Sequence, residues 1–369
     1  MLYSLQSFLK YFALLGLVPF SESCASRQHI QKVYSGLLVA LNVAIFGISI
    51  IFFENEELFL SILINMIGFA SKIMCATVIV LQIMLQYDEY FVFCRDIKSL
   101  GIRLQCELQI RIGSLSQRSC VKIIGLAVGF LVPLLAVVYV SLSLSLVYFW
   151  SSLLSILVTR VQCLLVLLYV ELLGHHVGLL GERVQNVLAC HLMGANCILD
   201  GNCNQLCSLE FLLALKQSHM ELYYLFTHFN ALFGWTMLSI YVVLFLDSTL
   251  NIYWTQQVLA DEYEYTYLYA TFAVFVPSLV MIIALCRGGE FCRRQNALIG
   301  SYLRSLACSP SPLQEPAYIE LLYEFITQVG ENSLAINAEG FMDIDNSLLM
   351  SILAAKVTYL IVLIQFSSL

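Results

Sequence analysis

The residues whose chemistry this sequence has to explain are the polar and charged side chains that interrupt apolar stretches. The last such stretch, Ser347 to Phe366, is broken in its second half by Thr358, Tyr359 and Gln365. At about 100° per residue, Thr358, Val362 and Gln365 fall within about 60° of one another on a helix, which makes a narrow, partly polar stripe. Hydrocarbon offers an amide no partner, so Gln365 either lines an aqueous path or hydrogen-bonds a neighbouring helix. Lys356 lies about 160° around the helix from Thr358, away from that stripe. A mid-membrane ammonium costs about 2.5–3.5 kcal/mol on insertion scales, so Lys356 is expected to snorkel inward or to pair within the subunit. Lys72 and Arg160 raise the same question in two earlier stretches, and Asp247, near the end of another, is a candidate partner for Arg160. Structural pairing is one reading of these charges, and ligand contact from within a cavity is the other.

Catalysis has no support. The sequence has no Walker loop, no GxSxG and no HExxH, so no catalytic residues are assigned and the chain is read as not an enzyme. His175, His176, His191, Cys190, Cys197, Cys203 and Cys207 are expected together in one cytosolic loop. Their spacing fits no standard zinc finger, so neither metal nor cofactor is expected.

The elements that must hold these residues are membrane spans. Hydrophobic residues make up 60% of the chain and charged residues 12%, with a mean hydropathy of +0.84. A soluble domain would carry about 25% charge, so the composition defines a multi-pass membrane protein, and span-length apolar stretches make it all-α. The net charge of −7 says nothing about nucleic acid, but no basic tract exceeds a few residues, so no nucleic-acid partner is expected. Seven apolar stretches stand out: 35–53, 58–86, 121–148, 152–173, 229–250, 267–286 and 347–366. Alternate connections carry the lysines and arginines. Lys10, Arg27 and Lys32 precede the first stretch, Arg95 to Arg118 follow the second, Arg183 and Lys216 follow the fourth, and Arg287 to Arg304 follow the sixth. The other connections, 54–57, 149–151 and 251–266, contain neither residue. Cytosolic loops retain Lys and Arg, so the N-terminus is expected in the cytosol and the C-terminus outside. A signal peptide over the first twenty residues is disfavoured by its short apolar run and by this charge pattern. None of the thirteen cysteines falls in a loop placed outside, so no extracellular disulfide is expected.

Two cytosolic segments have helical periodicity, Leu206–His228 and Ile319–Val329, and Ser309 to Pro312 with Pro316 mark a break before the second. At the outer ends of the spans, phenols and hydroxyls gather. Tyr139, Ser143 and Tyr148 close the third stretch, and Tyr267, Thr271 and Phe272 open the sixth. Such groups around an apolar cavity suit a small amphipathic ligand, although tyrosine also collects at membrane interfaces for its own sake.

Thr358-Tyr359, five apolar residues, then Gln365-Phe366 resembles the TYhhhhhQF signature at the C-terminus of insect gustatory receptors, and Ala338, Gly340-Phe341 and Asp345 to Leu349 resemble that family's approach to its last span. The seven-span plan extends the likeness to the whole chain. The resemblance implies a subunit of a homo- or heterotetrameric, ligand-gated, non-selective cation channel in the plasma membrane of gustatory sensory neurons, gated by a small-molecule tastant. The cytosolic helices would hold the subunits together. The last helix would line the pore, with Val362 as a hydrophobic constriction, Gln365 as a polar ring at the outer mouth and Thr358 on the same stripe. Tyr359 and Phe366 complete the motif. Lys356 departs from the small or apolar residues usual there. The implied division is a ligand-sensing six-helix region at 1–286, a cytosolic linker and anchor helix at 287–346 and a pore helix at 347–369. A bitter or aversive ligand is favoured because the spans hold no conspicuous acidic, carbohydrate-like pocket. A seven-span receptor signalling through a cytosolic partner without conducting is the alternative, and a secondary transporter is weakened by the absence of an internal repeat.

Overall fold

The computed structural model describes residues 17–18, 25–52, 59–108, 117–143, 147–193, 206–259, 266–308 and 316–367. Among these residues nearly everything is helical. The elements are α1 (Ala25–Phe52), α2 (Phe59–Leu85), α3 (Tyr87–Cys106), α4 (Gln117–Ser143), α5 (Val147–Met193), α6 (Leu209–Leu259), α7 (Thr266–Ala307), α8 (Pro316–Glu331), a hairpin of β1 (Asn337–Ala338) and β2 (Met342–Asp343), and α9 (Asn346–Ser367). Four stretches are long and apolar enough to cross a bilayer: Leu63–Leu85, Ser152–Leu192, Leu209–Gln256 and Thr271–Ala307. Three shorter apolar ones, Lys32–Ile48, Ile124–Tyr139 and Asn346–Val362, occupy the other predicted spans.

Three spans do not stop at the membrane boundary. In α5 the apolar spacing continues through Val177, Leu180, Val184 and Val187, all buried. α6 reaches its span through the buried Leu212, Leu215, Leu222 and Leu225, and α7 leaves its own through Ile299, Leu303 and Leu306. Each extension buries a stripe at helical spacing against the others, which is what makes a bundle continuous with the membrane domain. α8 opens on Pro316, whose fixed φ suits a first helical turn. It lays Tyr318, Leu322, Phe325 and Val329 onto α6 and α7.

α3 buries Tyr90, Phe93, Ile97, Leu100 and Leu104. Where it meets α5 and α6, Phe93, Tyr169, Phe229 and Phe233 form an aromatic cluster, with Phe229 and Phe233 centroids 5.0 Å apart. The phenols of Tyr90 and Tyr169 hydrogen-bond each other inside it. A buried phenol needs such a partner.

The hairpin sets the entry of α9. Glu339 and Gly340 have φ of 51° and 71°, a left-handed turn that favours glycine. Asn230 of α6 donates to the Ala335 carbonyl at 3.0 Å and accepts from the Asn337 amide at 3.1 Å. The chain lies so close to α7 that a Cβ on Gly289 would come within 1.8 Å of the Ile344 carbonyl oxygen. Asp345 then caps α9, accepting from the Leu348 amide at 2.9 Å, and its second oxygen pairs with Arg293 of α7 at 2.8 Å.

Candidate functional site

α9 packs on α6 and α7 by one face. Leu348, Leu349, Ile352 and Leu360 are partly buried on that face, and Lys356, 5% exposed, is its most buried described side chain. The opposite face is open: Met350, Leu353, Val357, Thr358, Ile361, Val362 and Gln365 are exposed. Thr358, Val362 and Gln365 therefore do share one side of the helix, opposite Lys356. The Thr358 hydroxyl donates to the Ala354 carbonyl at 3.1 Å, the usual way a threonine satisfies itself within a helix. Tyr359 is also exposed, though its ring meets the edge of Phe245 on α6 at 5.8 Å. Phe366 falls in α9, but its side chain lies outside the described residues.

Lys356 faces a group of buried and half-buried charges. Asp247 on α6 pairs with Lys72 on α2 at 2.8 Å. The expected pairing of Asp247 with Arg160 gives way to this one for an identifiable reason. Pro277 has no amide hydrogen, so the Ala273 carbonyl one turn earlier in α7 lacks its helical donor. Arg160 supplies the bond from α5, with Nη2 donating to Ala273 at 3.0 Å and Nη1 to the Phe130 carbonyl of α4 at 2.6 Å. Arg160 and Lys356 both remain within electrostatic reach of Asp247, and the Lys356 ammonium has no hydrogen-bond partner. The charges that the sequence scatters over four stretches thus form one neighbourhood joining α2, α5, α6 and α9.

A second buried polar set runs between α2, α5 and α6. Thr159 donates to Cys75 at 3.7 Å and to the Ser155 carbonyl at 2.8 Å, and Cys75 meets the Ser239 hydroxyl at 3.6 Å. Gln82 accepts from both the amide and the hydroxyl of Thr236 at 2.7 Å. Neither amide atom of Gln162 has a partner. Period counting alone missed these residues. Their signal was polar side chains at buried helical positions.

The outer-end candidates are not brought into one cavity by the described residues. Tyr139 and Phe272 are exposed on α4 and α7, while Thr271 is buried and donates to the Leu268 carbonyl at 3.0 Å. Ser143, Tyr148 and Tyr267 lie in helices, but their side chains are outside the described residues. A cavity of about 600 Å³ opens instead between α6 and α8, lined by Lys216, Glu320, Tyr323 and Gln328 among others.

The cytosolic bundle holds further polar contacts. His219 Nε2 donates to the Asn296 side-chain oxygen at 2.9 Å, and its Nδ1 faces the Gln328 amide nitrogen at 3.2 Å. That pairing suits a neutral ring, and burial lowers the His219 pKa while the Asn296 bond partly restores it. Lys216 of α6 pairs with Glu324 of α8. The His–Cys grouping is corrected. His175, His176, Cys190 and His191 ride on α5, not in a loop, because the apolar stripe through Val187 keeps that segment helical. Cys197 and Cys203 lie outside the described residues.

Together these features define a multi-pass membrane protein with a continuous cytosolic bundle and one half-packed last helix. The model of the family described as "7tm Chemosensory receptor" matches residues 5–369. "Putative gustatory receptor 39b" of Drosophila melanogaster is 68% identical over 368 residues, covering 100% of both chains. "Gustatory receptor 23a" of the same organism is 32% identical over 41% of this chain and 40% of its own. Among solved structures, the insect olfactory receptor OR5 from Machilis hrabei superposes with a TM-score of 0.63 over 99% of both chains at 14% identity. The same receptor in complex with eugenol gives 0.61 over 99% of both at 16% identity. The chain belongs to the 7tm chemosensory receptors, as a member of the insect gustatory receptor family.

Proposed function

We propose that this receptor is one subunit of a tetrameric, ligand-gated, non-selective cation channel that responds to bitter or aversive tastants at the dendrites of gustatory neurons. The observation that carries the reading is the one-sided burial of α9. A membrane-depth helix that packs by one face and leaves Thr358 and Val362 open on the other calls for water or further subunits on that side. Four such helices around an axis would make a pore, with Val362 side chains forming a dewetting constriction and Gln365 a polar ring beside it. The exposed Ile319 and Tyr323 of α8 offer a cytosolic subunit contact. On this reading residues 1–286 sense ligand, 287–346 anchor the subunits and 347–369 conduct.

The ligand is a small molecule entering from outside among the first six spans. The fold match to an olfactory receptor solved with eugenol supports that class. Tyr139, Ser143, Tyr148, Tyr267, Thr271 and Phe272 are the proposed contacts, and the Thr271 hydroxyl can exchange its backbone acceptor for a ligand group.

Current recorded from purified protein in a planar bilayer tests the channel. Val362→Ser, which adds a hydroxyl and removes bulk, should raise ligand-independent current several-fold. Leu360→Ser, on the packed face, should not. Equal basal current in the two, at equal incorporation, would reject the pore face. Ligand binding without current would favour signalling through a cytosolic partner.

A further inference from the structure

The charges around Asp247, all buried except the partly exposed Lys72, do not balance. Lys72, Arg160 and Lys356 stand against a single carboxylate, and among the described residues Asp247 is the only acidic side chain in the outer half of the bundle. Each cation is treated differently. Lys72 takes the carboxylate directly at 2.8 Å. Arg160 is solvated by two backbone carbonyls that belong to other helices. Lys356 is 5% exposed and its Nζ has no partner at all. It cannot snorkel, because it sits near the middle of α9 with its ammonium turned into the subunit. An ammonium brings three donors, and leaving all of them unfilled at low dielectric costs several kcal/mol. Buried charges in membrane proteins are met by partners or by a filled site.

We propose that Lys356, together with the Lys72–Asp247–Arg160 group, forms an internal site for one monovalent anion, either a halide from solution or the carboxylate of an organic acid ligand. One negative charge at this place would take up the free donors of Lys356 and halve the local excess of positive charge. The remaining excess falls on Arg160, whose two carbonyl bonds already spread it. The anion would also shield the exposed face of α9 from the Lys356 charge, which at low dielectric acts across the helix. The site does not depend on the chain conducting ions, so its test does not use current.

The test is thermal unfolding of the purified full-length receptor in lipid nanodiscs. The base buffer contains gluconate as its anion, and chloride, benzoate or the neutral isostere benzamide is then titrated in. For wild type, chloride or benzoate should raise the midpoint by about 3 °C or more at saturation, and benzamide should not. A response to chloride alone assigns a halide site, and a response to benzoate alone assigns an organic acid ligand. Lys356→Met should abolish the response and raise the midpoint in gluconate, since it removes the uncompensated charge. Lys216→Met, in the cytosolic ion pair, should keep the anion response. The proposal is overturned if wild type ignores both anions, which would mean Lys356 is held neutral, or if Lys356→Met responds as wild type does. It is equally overturned if benzamide matches benzoate. Should Lys356→Met fail to fold, Lys356→Gln takes its place. Without either variant, the wild-type comparison of carboxylate with amide still decides.

Discussion

The two halves of this receptor treat buried polar groups differently. In the cytosolic half, contacts close on themselves: His219 bridges Asn296 and Gln328, Gln328 also donates to the Lys216 carbonyl at 3.0 Å, and Asp345 both caps α9 and pairs with Arg293. In the membrane half, a whole ammonium, that of Lys356, and both amide atoms of Gln162 are left without partners, whereas the gaps on the cytosolic side are single atoms such as the Ser218 hydroxyl and the Gln86 side-chain oxygen. Satisfied networks rigidify, whereas unsatisfied groups in a low-dielectric interior favour any rearrangement or ligand that completes them. On the proposed channel reading the two halves do different work: the cytosolic bundle holds geometry, and the charged neighbourhood beneath α9 is where a small energy change moves a helix.

That contrast can be broken at its most charged point. Asp247→Asn should cost about 3–5 kcal/mol of stability, because it leaves Lys72 unpaired beside two further cations. Adding Lys72→Met should return most of the loss, measured as the unfolding midpoint of the double variant against each single one. If the double variant stays as unstable as Asp247→Asn, the carboxylate matters chiefly to Arg160 and Lys356.

The junction between the halves comes next. Gly289→Ala places a methyl against the Ile344 carbonyl, a backbone atom that cannot rotate away. The expected cost is about 3 kcal/mol, with faster proteolysis between α8 and α9. Unchanged proteolysis would mean the hairpin has another seat on α7.

The third test separates the inside of the bundle from its surface. Leu322 and Phe325 lie on the cytosolic helix that the family resemblance assigns to subunit contact, but they are 1% and 0% exposed within a single chain. Leu322→Ala should therefore destabilise the subunit itself by about 2–3 kcal/mol. Tyr323→Ser, on the open side of α8, should leave subunit stability within about 0.5 kcal/mol and lower the tetramer fraction on crosslinking. A tetramer fraction that falls for Leu322→Ala but not for Tyr323→Ser would reverse that assignment.

These cases show what the sequence makes legible. Spans are readable because twenty apolar residues have few other uses, and the motif from Thr358 to Phe366 carries the family. The face of α9 is readable too, since 100° per residue puts Lys356 opposite Thr358. Depth is not. Asp247 was expected to pair with Arg160 and pairs instead with Lys72, and what drew Arg160 away was a carbonyl freed by Pro277, a backbone event with no charge to advertise it. The end of α5 was readable and passed over: Val177, Leu180, Val184 and Val187 have helical spacing, but His175 and His176 just before them were placed in a loop. Ligand contacts stay least legible, because tyrosines at a membrane interface serve the lipid boundary and a binding cavity equally well.

The smallest effect belongs to His219, and it tests whether the cytosolic half is as closed as its contacts imply. The neutral ring donates through Nε2 to Asn296 and accepts at Nδ1 from Gln328. Protonation would put a second N–H against the Gln328 amide, and burial already holds the folded-state pKa below the ordinary 6.5. The unfolded chain therefore binds this proton more readily than the folded one. Stability contributed by the neutral ring is present above about pH 6.5 and is lost as pH falls toward the lower folded-state value, at up to about 1.4 kcal/mol per pH unit within that window. His219→Gln removes the titration while keeping a donor and an acceptor, so its unfolding midpoint should fall less than that of wild type between pH 7 and pH 5.5. Parallel pH profiles would mean that the ring accepts a proton in place, through a rotation of the Gln328 amide, and that the cytosolic network is more adaptable than the membrane half it supports.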